Sequence, residues 1–109
     1  MERGRLEQMT KGWWIGDFLP SFHRTSLVEV GYKIHPAGEI YPPHYQQTAH
    51  EWNLLIHGTL IANDQTLQAG DLFHFLPQEV CRVRFVTDCE VVVVKMPSLP
   101  QDTLRCLLS

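Results

Sequence analysis

The chain has 109 residues, 44% of them hydrophobic and 19% charged, which is typical of one folded domain rather than of a disordered segment. The formal net charge is −3 and no run of Lys or Arg occurs, so the sequence lacks the positive surface that nucleic-acid binding needs. No apolar run approaches the roughly 20 residues of a membrane-spanning helix, so we expect no membrane partner. We expect a single domain over residues 1–109, in which residues 1–10 either fray or form a short helix.

Short β-rich segments alternate with Gly and Pro along the whole chain, which predicts an all-β protein. A first strand is expected within residues 12–18. Residues 27–34 alternate between an apolar and a charged face, the pattern of a half-buried strand, and residues 35–38 end this strand as a turn. The apolar face comprises Val28, Val30, Tyr32 and Ile34, and the charged face comprises Glu29 and Lys33.

The rest of the chain continues the same pattern. Further extended segments are expected at residues 41–46, 51–57, 59–62, 66–68, 72–76, 80–86 and 90–96. About eight strands joined by tight turns favour antiparallel pairing, and eight antiparallel strands without open edges suggest a jelly roll. After these strands, residues 102–108 carry a weak helical pattern in which Asp102 would be the N-cap.

The cysteine content indicates a reducing environment. The chain has three cysteines, Cys81, Cys89 and Cys106, which is an odd number, and no C-x-x-C spacing occurs. Neither a disulfide framework nor a zinc finger is therefore indicated. The first ten residues are polar and lack the apolar core of a secretory signal peptide. We therefore expect a cytoplasmic protein.

Residues 38–58 resemble the first motif of the cupin family. That motif is a Gly, five residues, His-x-His, three or four residues, Glu, six residues and a Gly. Gly38, His44, Glu51 and Gly58 stand at these spacings, whereas Gln46 stands where the second His of the motif is expected. The stretches GWWIGDFLPS and VVVVKMPS are also similar to segments of very small bacterial cupins.

The second cupin motif is matched more loosely. It begins well at Gly70, and eleven residues farther on Cys81 stands at the position of the motif His. Counting from Pro77 instead places Arg82 there, and a cation at ~4 Å from a divalent metal would cost about 8 kcal/mol at an effective dielectric constant near 20. Because Cys81 belongs to the apolar side of its strand, together with Val83, we favour the register in which Cys81 faces the pocket.

The resemblance implies a cupin jelly-roll β-barrel, an antiparallel double-stranded β-helix with a small-molecule pocket inside. It also implies that the motif positions hold one divalent transition metal (Fe, Zn, Ni or Mn), or none in this degraded site, because an amide is a weaker ligand than imidazole. The implied metal ligands are His44, Gln46, Glu51 and Cys81. Alternation along the strand from Glu51 adds Asn53 and His57 to the residues expected to line the pocket.

The other face of the strand at 51–57 carries Trp52, Leu54 and Ile56, so both faces of this strand need a cover. In so short a chain we expect a second subunit to supply it, in a twofold homodimer that Trp13 and Trp14 could join. The alternative is that the N-terminal strand folds back over this face and the protein stays monomeric.

Three functions are compatible with this sequence. In the first, the chain binds a small polar or anionic molecule in the barrel and its metal site is weak or empty. In the second, it is a metal-dependent enzyme of the isomerase or dioxygenase type, in which His44 and Glu51 hold a metal that polarises the substrate. In the third, it is a structural or regulatory dimer without chemistry. The fold does not decide among them.

Overall fold

The structure is a computed structural model that describes residues 1–106, and it contains one short 3-10 helix, Leu6–Gln8, and eleven β-strands. The strands are β1 (Trp13–Gly16), β2 (His23–Arg24), β3 (Glu29–His35), β4 (His44–Gln46), β5 (His50–His57), β6 (Thr59–Ala62), β7 (Gln65–Gln68), β8 (Leu72–Phe75), β9 (Val83–Phe85), β10 (Cys89–Met96) and β11 (Thr103–Arg105). Within residues 1–106, no helix is long and apolar enough to cross a bilayer.

The strands form three sheets. The large sheet has the order β2-β1-β3-β10-β5-β8, the small sheet has the order β7-β6-β9, and β11 pairs with β4. The β1–β2 pair is parallel and the other pairs are antiparallel. The predicted all-β jelly roll is therefore confirmed. The expected absence of open edges is not confirmed, because the hydrogen-bonded ladders stop between the three sheets instead of closing into a barrel.

The apolar core lies between the large and the small sheet. It is built from alternate residues of β5, β6, β8, β9 and β10, and its largest buried members are Leu55, Leu60, Phe75, Phe85, Val91 and Val93. Burial of each such side chain contributes ~1.5–3 kcal/mol to the stability of the fold. This layer therefore determines which face of each surrounding strand points inward.

Strand β3 alternates as predicted, but its charged face lies inside the roll. Glu29 and Gly31 are buried, whereas Ile34 on the apolar face is 65% exposed. The ring of Trp13 packs over Gly31 so closely that a Cβ atom there would lie 2.6 Å from the ring. The inner surface at β3 therefore borders an aromatic lid and a cavity rather than a solid apolar core, and a polar strand face is stable there.

The N-terminal segment covers one end of the outer face of the large sheet. Leu6, Met9, Trp14 and Phe22 surround a groove with Tyr32 of β3. The rest of this face stays open, and its exposed apolar side chains include Ile34, Trp52, Leu54, Ile56 and Leu72. The fold-back alternative thus accounts for part of the apolar outer face and leaves the part on β5 and β8 uncovered.

The predicted helix at residues 102–108 is wrong for its described part, and residues 107 and 108 lie outside the described residues. Thr103–Arg105 forms β11 and pairs with His44–Gln46. Asp102 caps a turn instead of a helix, because its Oδ2 accepts hydrogen bonds from the backbone N–H groups of Thr48 and Ala49 at 2.8 and 2.7 Å. This contact holds the turn that precedes β5.

Candidate functional site

A cavity of about 80 Å³ lies inside the roll, between the large sheet and the strands that face it. Most of its wall is aromatic or aliphatic. Its polar lining residues come from β3, β4, β5 and the loop before β4, and they are Lys33, His35, Tyr41, His44, Glu51 and Asn53. A mostly apolar concavity with a few converging polar groups is the usual form of a small-molecule site.

His44 and Cys81 are held side by side by their backbones. The N–H of His44 donates to the carbonyl of Cys81 at 3.3 Å, and the N–H of Cys81 donates to the carbonyl of His44 at 2.7 Å. Residues that exchange both hydrogen bonds across an antiparallel pair point to the same face. Both side chains are buried and line the cavity, whereas Arg82 is exposed, so the structure has the register in which Cys81 faces inward.

The imidazole of His44 has a defined tautomer. Its Nδ1 lies 3.1 Å from the carbonyl oxygen of Pro42, and because a carbonyl can only accept, Nδ1 carries the proton. In the neutral ring, Nε2 is then an acceptor, and it has no hydrogen-bond partner within residues 1–106. The cavity therefore offers a ligand one imidazole acceptor, beside the ring of Tyr41 at a centroid distance of 5.0 Å.

Glu51 is the centre of a buried polar network. The amide nitrogen of Gln46 donates to its Oε1 at 3.4 Å, and the amide nitrogen of Asn53 donates to its Oε2 at 3.1 Å. The amide oxygen of Gln46 accepts from the Thr103 hydroxyl at 3.0 Å, and Thr103 in turn accepts from Lys95 Nζ at 3.4 Å. Within residues 1–106, no side-chain nitrogen or oxygen that is fully shielded from solvent lacks a partner, so the shielded atoms of this network are all hydrogen-bonded.

The donors at the motif positions do not fit a transition metal in this arrangement. Within residues 1–106, no group of three or more His, Cys, Asp or Glu side chains is placed to hold a metal ion. Gln46 turns its amide nitrogen, which cannot bind a metal, toward Glu51. Burial, together with the charge of Glu51, raises the pKa of the Cys81 thiol, whereas a metal needs the thiolate. Of the expected ligand set, only His44 and Glu51 present suitable atoms to the cavity.

Positive charge lies over the ring of Trp13, one of the residues that line the cavity. The Nζ atoms of Lys33 and Lys95 lie 5.6 and 4.9 Å from the centroid of the Trp13 ring, within the range of a cation–π contact. Lys33 also donates to the carbonyl of Lys11 at 2.6 Å. Burial, followed by the charges of Lys11 and Lys95, lowers the pKa of Lys33. A negative charge bound here would relieve that repulsion.

A second histidine borders the cavity, at a place where the sequence indicated only a turn. His35 stacks on Phe85 with the ring centroids 4.1 Å apart, and its Nδ1 contacts the carboxylate of Glu39. Alternation alone separates an apolar from a charged face of β3 without telling which of them lies inside, so it does not predict His35 and Lys33 at the site. The signal that could have found them is Gly31, which interrupts the inner face and makes room for Trp13.

The other expected site residues have distinct places. Asn53 lines the cavity, and Gln46 is buried behind Glu51, where it supports the carboxylate instead of facing the cavity. His57 is the exception: it is exposed at the end of β5, next to an irregularity in the pairing with β10, and lies outside the cavity. The irregularity breaks the alternation that predicted an inward position for His57.

Trp13 and Trp14 lie on opposite sides of β1. Trp13 faces inward and lines the cavity. Trp14 lies on the opposite side of β1 in the groove formed with the N-terminal segment.

No protein-family model and no curated protein matches the chain. Solved structures do match its fold. A protein with a double-stranded β-helix domain from Klebsiella pneumoniae aligns with a TM-score of 0.68 and 18% identity, over 75% of this chain and 72% of that one. A cupin protein from Bacteroides fragilis aligns with a TM-score of 0.56 and 16% identity, over 67% of this chain and 68% of that one.

The DMSP lyase DddQ from Ruegeria pomeroyi also aligns, with a TM-score of 0.65 and 18% identity over 75% of this chain. This chain spans 44% of the length of that lyase. At such identities the likeness extends to the fold and no farther.

Proposed function

We propose that this chain, whose fold is that of the cupins, binds a small anionic molecule inside the roll. The observation that carries the proposal is the convergence of Lys33, His44 and Asn53 on one cavity whose remaining wall is mainly apolar. Lys33 supplies a cation, His44 an acceptor nitrogen and Asn53 an amide. Such a set favours a ligand with a negatively charged end and a hydrogen-bonding end.

The size of the cavity limits the ligand. At about 80 Å³ it is well below the ~300–1,000 Å³ of sites for drug-sized molecules. A nucleotide or an oligosaccharide does not fit this volume without movement of the walls. A short carboxylic acid with few non-hydrogen atoms does.

The electrostatics favour an anion beside Lys33 rather than beside Glu51. The pKa of Lys33 is lowered by burial and by two neighbouring lysines, so an incoming carboxylate gains a charge-assisted hydrogen bond and offsets that repulsion. Glu51 already accepts from Gln46 and Asn53 and would repel a second carboxylate. The ligand therefore lies with its carboxylate toward Lys33 and its polar end toward His44.

Isothermal titration with acetate, malonate and the uncharged analogue acetamide tests this proposal. We expect the acids to bind and acetamide to bind roughly tenfold more weakly or not at all, the loss of one charged hydrogen bond. Lys33→Met should remove the preference for acids. Lys95→Met is the matched control, because Lys95 contacts the same Trp13 ring but does not line the cavity.

Equal affinity of acids and acetamide for the wild-type protein would overturn the anion proposal. So would an equal loss of affinity in the two lysine variants, because Lys33 would then have no specific role.

The alternative function is a metal-dependent enzyme that uses His44 and Glu51. It is supported by the free Nε2 of His44 and by the alignment with a lyase, and it is opposed by the orientation of Gln46 and the raised pKa of Cys81. Elemental analysis of protein purified without chelator separates the two. We expect no stoichiometric Fe, Zn, Ni or Mn. A near-stoichiometric metal that is lost in His44→Ala would establish the alternative.

We also propose that a second copy of the chain covers the open part of the outer face. Leu54 and Ile56 are exposed on β5, and Leu72 is 77% exposed on the neighbouring edge strand β8. A contiguous apolar surface that the N-terminal segment does not reach marks an interaction site, and a twofold dimer is the commonest arrangement. If no ligand binds, a structural or regulatory dimer without catalytic activity is the remaining function.

The three free thiols support a reducing, cytoplasmic location.

A further inference from the structure

A stacked cluster of three rings lies on the outer face of the large sheet, outside the cavity. The ring of Trp52 is parallel to that of His50 at a centroid distance of 5.2 Å and to that of His74 at 4.8 Å. The Nδ1 atom of His50 lies 2.9 Å from Nε2 of His74. None of these residues takes part in the proposed anion site.

The strand register brings these rings together. Trp52 and His74 are direct partners across β5 and β8, and His50 precedes Trp52 by two residues on the same face. His50 is therefore the diagonal neighbour of His74, a distance that long and aromatic side chains span. Because Trp52 packs against both imidazoles, it limits the orientations that the two rings adopt.

We propose that His50 and His74 bind one transition-metal ion at this surface, with Cu²⁺ bound most tightly. A metal ion holds imidazole nitrogens at ~2.0–2.1 Å, so two adjacent ligands of one ion lie roughly 3 Å apart. The two nitrogens already lie 2.9 Å apart, which matches this separation without movement of the backbone. The hydrogen bond between them requires one of the two facing nitrogens to be unprotonated. The other ring loses its shared proton when the metal binds and takes up a proton from solvent on its far nitrogen, so it stays neutral and both facing nitrogens can bind the metal.

The two imidazoles favour copper among the divalent metals. A given nitrogen site binds Cu²⁺ more tightly than the other divalent first-row ions. Met96 is the direct partner of His50 across β10 and β5, it is exposed, and it borders the pair on the same outer face. Two imidazoles and water thus form a copper site of moderate affinity near the edge of the sheet.

Tryptophan fluorescence provides a local readout, because Trp52 contacts both proposed ligands while Trp13 and Trp14 lie on β1, separated from β5 by β3 and β10. Cu²⁺ is titrated into the full-length chain carrying Cys106→Ser, which removes the only thiol within residues 1–106 that is not buried. We expect one equivalent of Cu²⁺ to quench part of the fluorescence, Zn²⁺ to compete and Mg²⁺ to have no effect.

His74→Asn should weaken Cu²⁺ binding by roughly tenfold or more, since loss of even an outer partner of a metal ligand has an effect of that size. Trp52→Phe should keep the binding measured by calorimetry and lose the quenching. His57→Asn is the matched control, because His57 is exposed on the same strand and has no histidine partner within residues 1–106.

Two results would overturn the proposal. One is unchanged Cu²⁺ affinity in His74→Asn. The other is loss of the copper signal in His44→Ala, which would place the ion inside the roll instead of on the outer face.

Discussion

The amide nitrogen of Gln46 lies 3.4 Å from Oε1 of Glu51, and both residues are buried. The cupin motif that this segment resembles has a histidine at position 46. Here the amide donates to the carboxylate and accepts from Thr103 at 3.0 Å. A hydrogen-bonded network thus orients Glu51.

The first prediction concerns this network. Gln46→Leu keeps the volume of the side chain, but leaves the Glu51 carboxylate with one fewer donor and the Thr103 hydroxyl without its acceptor. We expect the free energy of unfolding in urea to fall by about 1–3 kcal/mol. Gln47→Leu, at the exposed neighbouring position, should change it by about 0.5 kcal/mol or less. Equal effects of the two substitutions would show that the network contributes nothing to stability.

The second prediction is a pH dependence of stability that arises from Cys81. Burial and the charge of Glu51 raise the pKa of this thiol in the folded protein. Above pH ~8.5 the unfolded chain loses the thiol proton that the folded chain keeps, so the free energy of unfolding falls as the pH rises. The contribution of this one group has a limiting slope of about 1.4 kcal/mol per pH unit.

Urea unfolding between pH 7 and pH 10 measures this slope. Cys81→Ala should show a shallower decline of stability above pH ~8.5 than the wild-type protein. Val83→Ala, which also removes a cavity-lining side chain but no ionisable group, should lose stability at every pH and keep the wild-type slope. The same slope in Cys81→Ala and wild type would refute the assignment.

The third prediction tests the second copy on the outer face. Light scattering coupled to size exclusion should give twice the chain mass for the wild-type protein. Leu54→Lys places a charge in the middle of the exposed apolar surface, and burial of an unpaired charge is strongly unfavourable, so this variant should be monomeric. Leu27→Lys, at an exposed leucine outside β5 and β8, should stay dimeric. A monomeric wild-type protein would rule out the dimer.

Alternation along the sequence correctly predicted the two faces of β5. In β5 the alternation of Glu51, Asn53 and Leu55 with Trp52 and Leu54 agrees with the faces in the structure. The motif spacing also led to His44 and Glu51, and the two side chains line one cavity. Local spacing is sufficient there, because the turn between β4 and β5 is short.

The same pattern does not identify the inner face of β3, because here the apolar face points outward. The interior at β3 is a cavity under Trp13, so Lys33 and His35 face inward and Ile34 faces out. Which face of an alternating strand is inside depends on what packs across it, and that partner comes from a distant part of the chain. Contacts of this kind leave no local pattern in the sequence.

Asp102 is a second example of a long-range contact that a local pattern misrepresents. An aspartate before an apolar segment has the pattern of a helix N-cap, yet its carboxylate accepts from the N–H groups of Thr48 and Ala49, more than fifty residues earlier. The chemistry is the same as in a helix N-cap, since a carboxylate oxygen accepts hydrogen bonds from two backbone N–H groups. Only its target differs, and that target is the turn that leads into Glu51.

The fourth prediction follows from this contact. Asp102→Ala leaves two backbone N–H groups without an acceptor, one of them on the buried residue Ala49. We expect a loss of about 2–4 kcal/mol in the free energy of unfolding, and a smaller loss of about 1–2 kcal/mol for Asp102→Asn, which keeps a neutral acceptor. Because the turn positions Glu51, amide hydrogen exchange at Thr48 and Ala49 should accelerate in Asp102→Ala.

Asp71→Ala is the matched control for this prediction. Asp71 Oδ2 also accepts a backbone hydrogen bond, from Gln68 at 2.8 Å, but at an exposed turn where water replaces the lost acceptor. Asp71→Ala should lower the free energy of unfolding by about 1 kcal/mol or less and leave amide hydrogen exchange at Thr48 and Ala49 unchanged. If Asp102→Ala were no more destabilising than Asp71→Ala, the carboxylate of Asp102 would not be what holds the turn before β5, and the position of Glu51 would have to depend on its contacts with Gln46 and Asn53 alone.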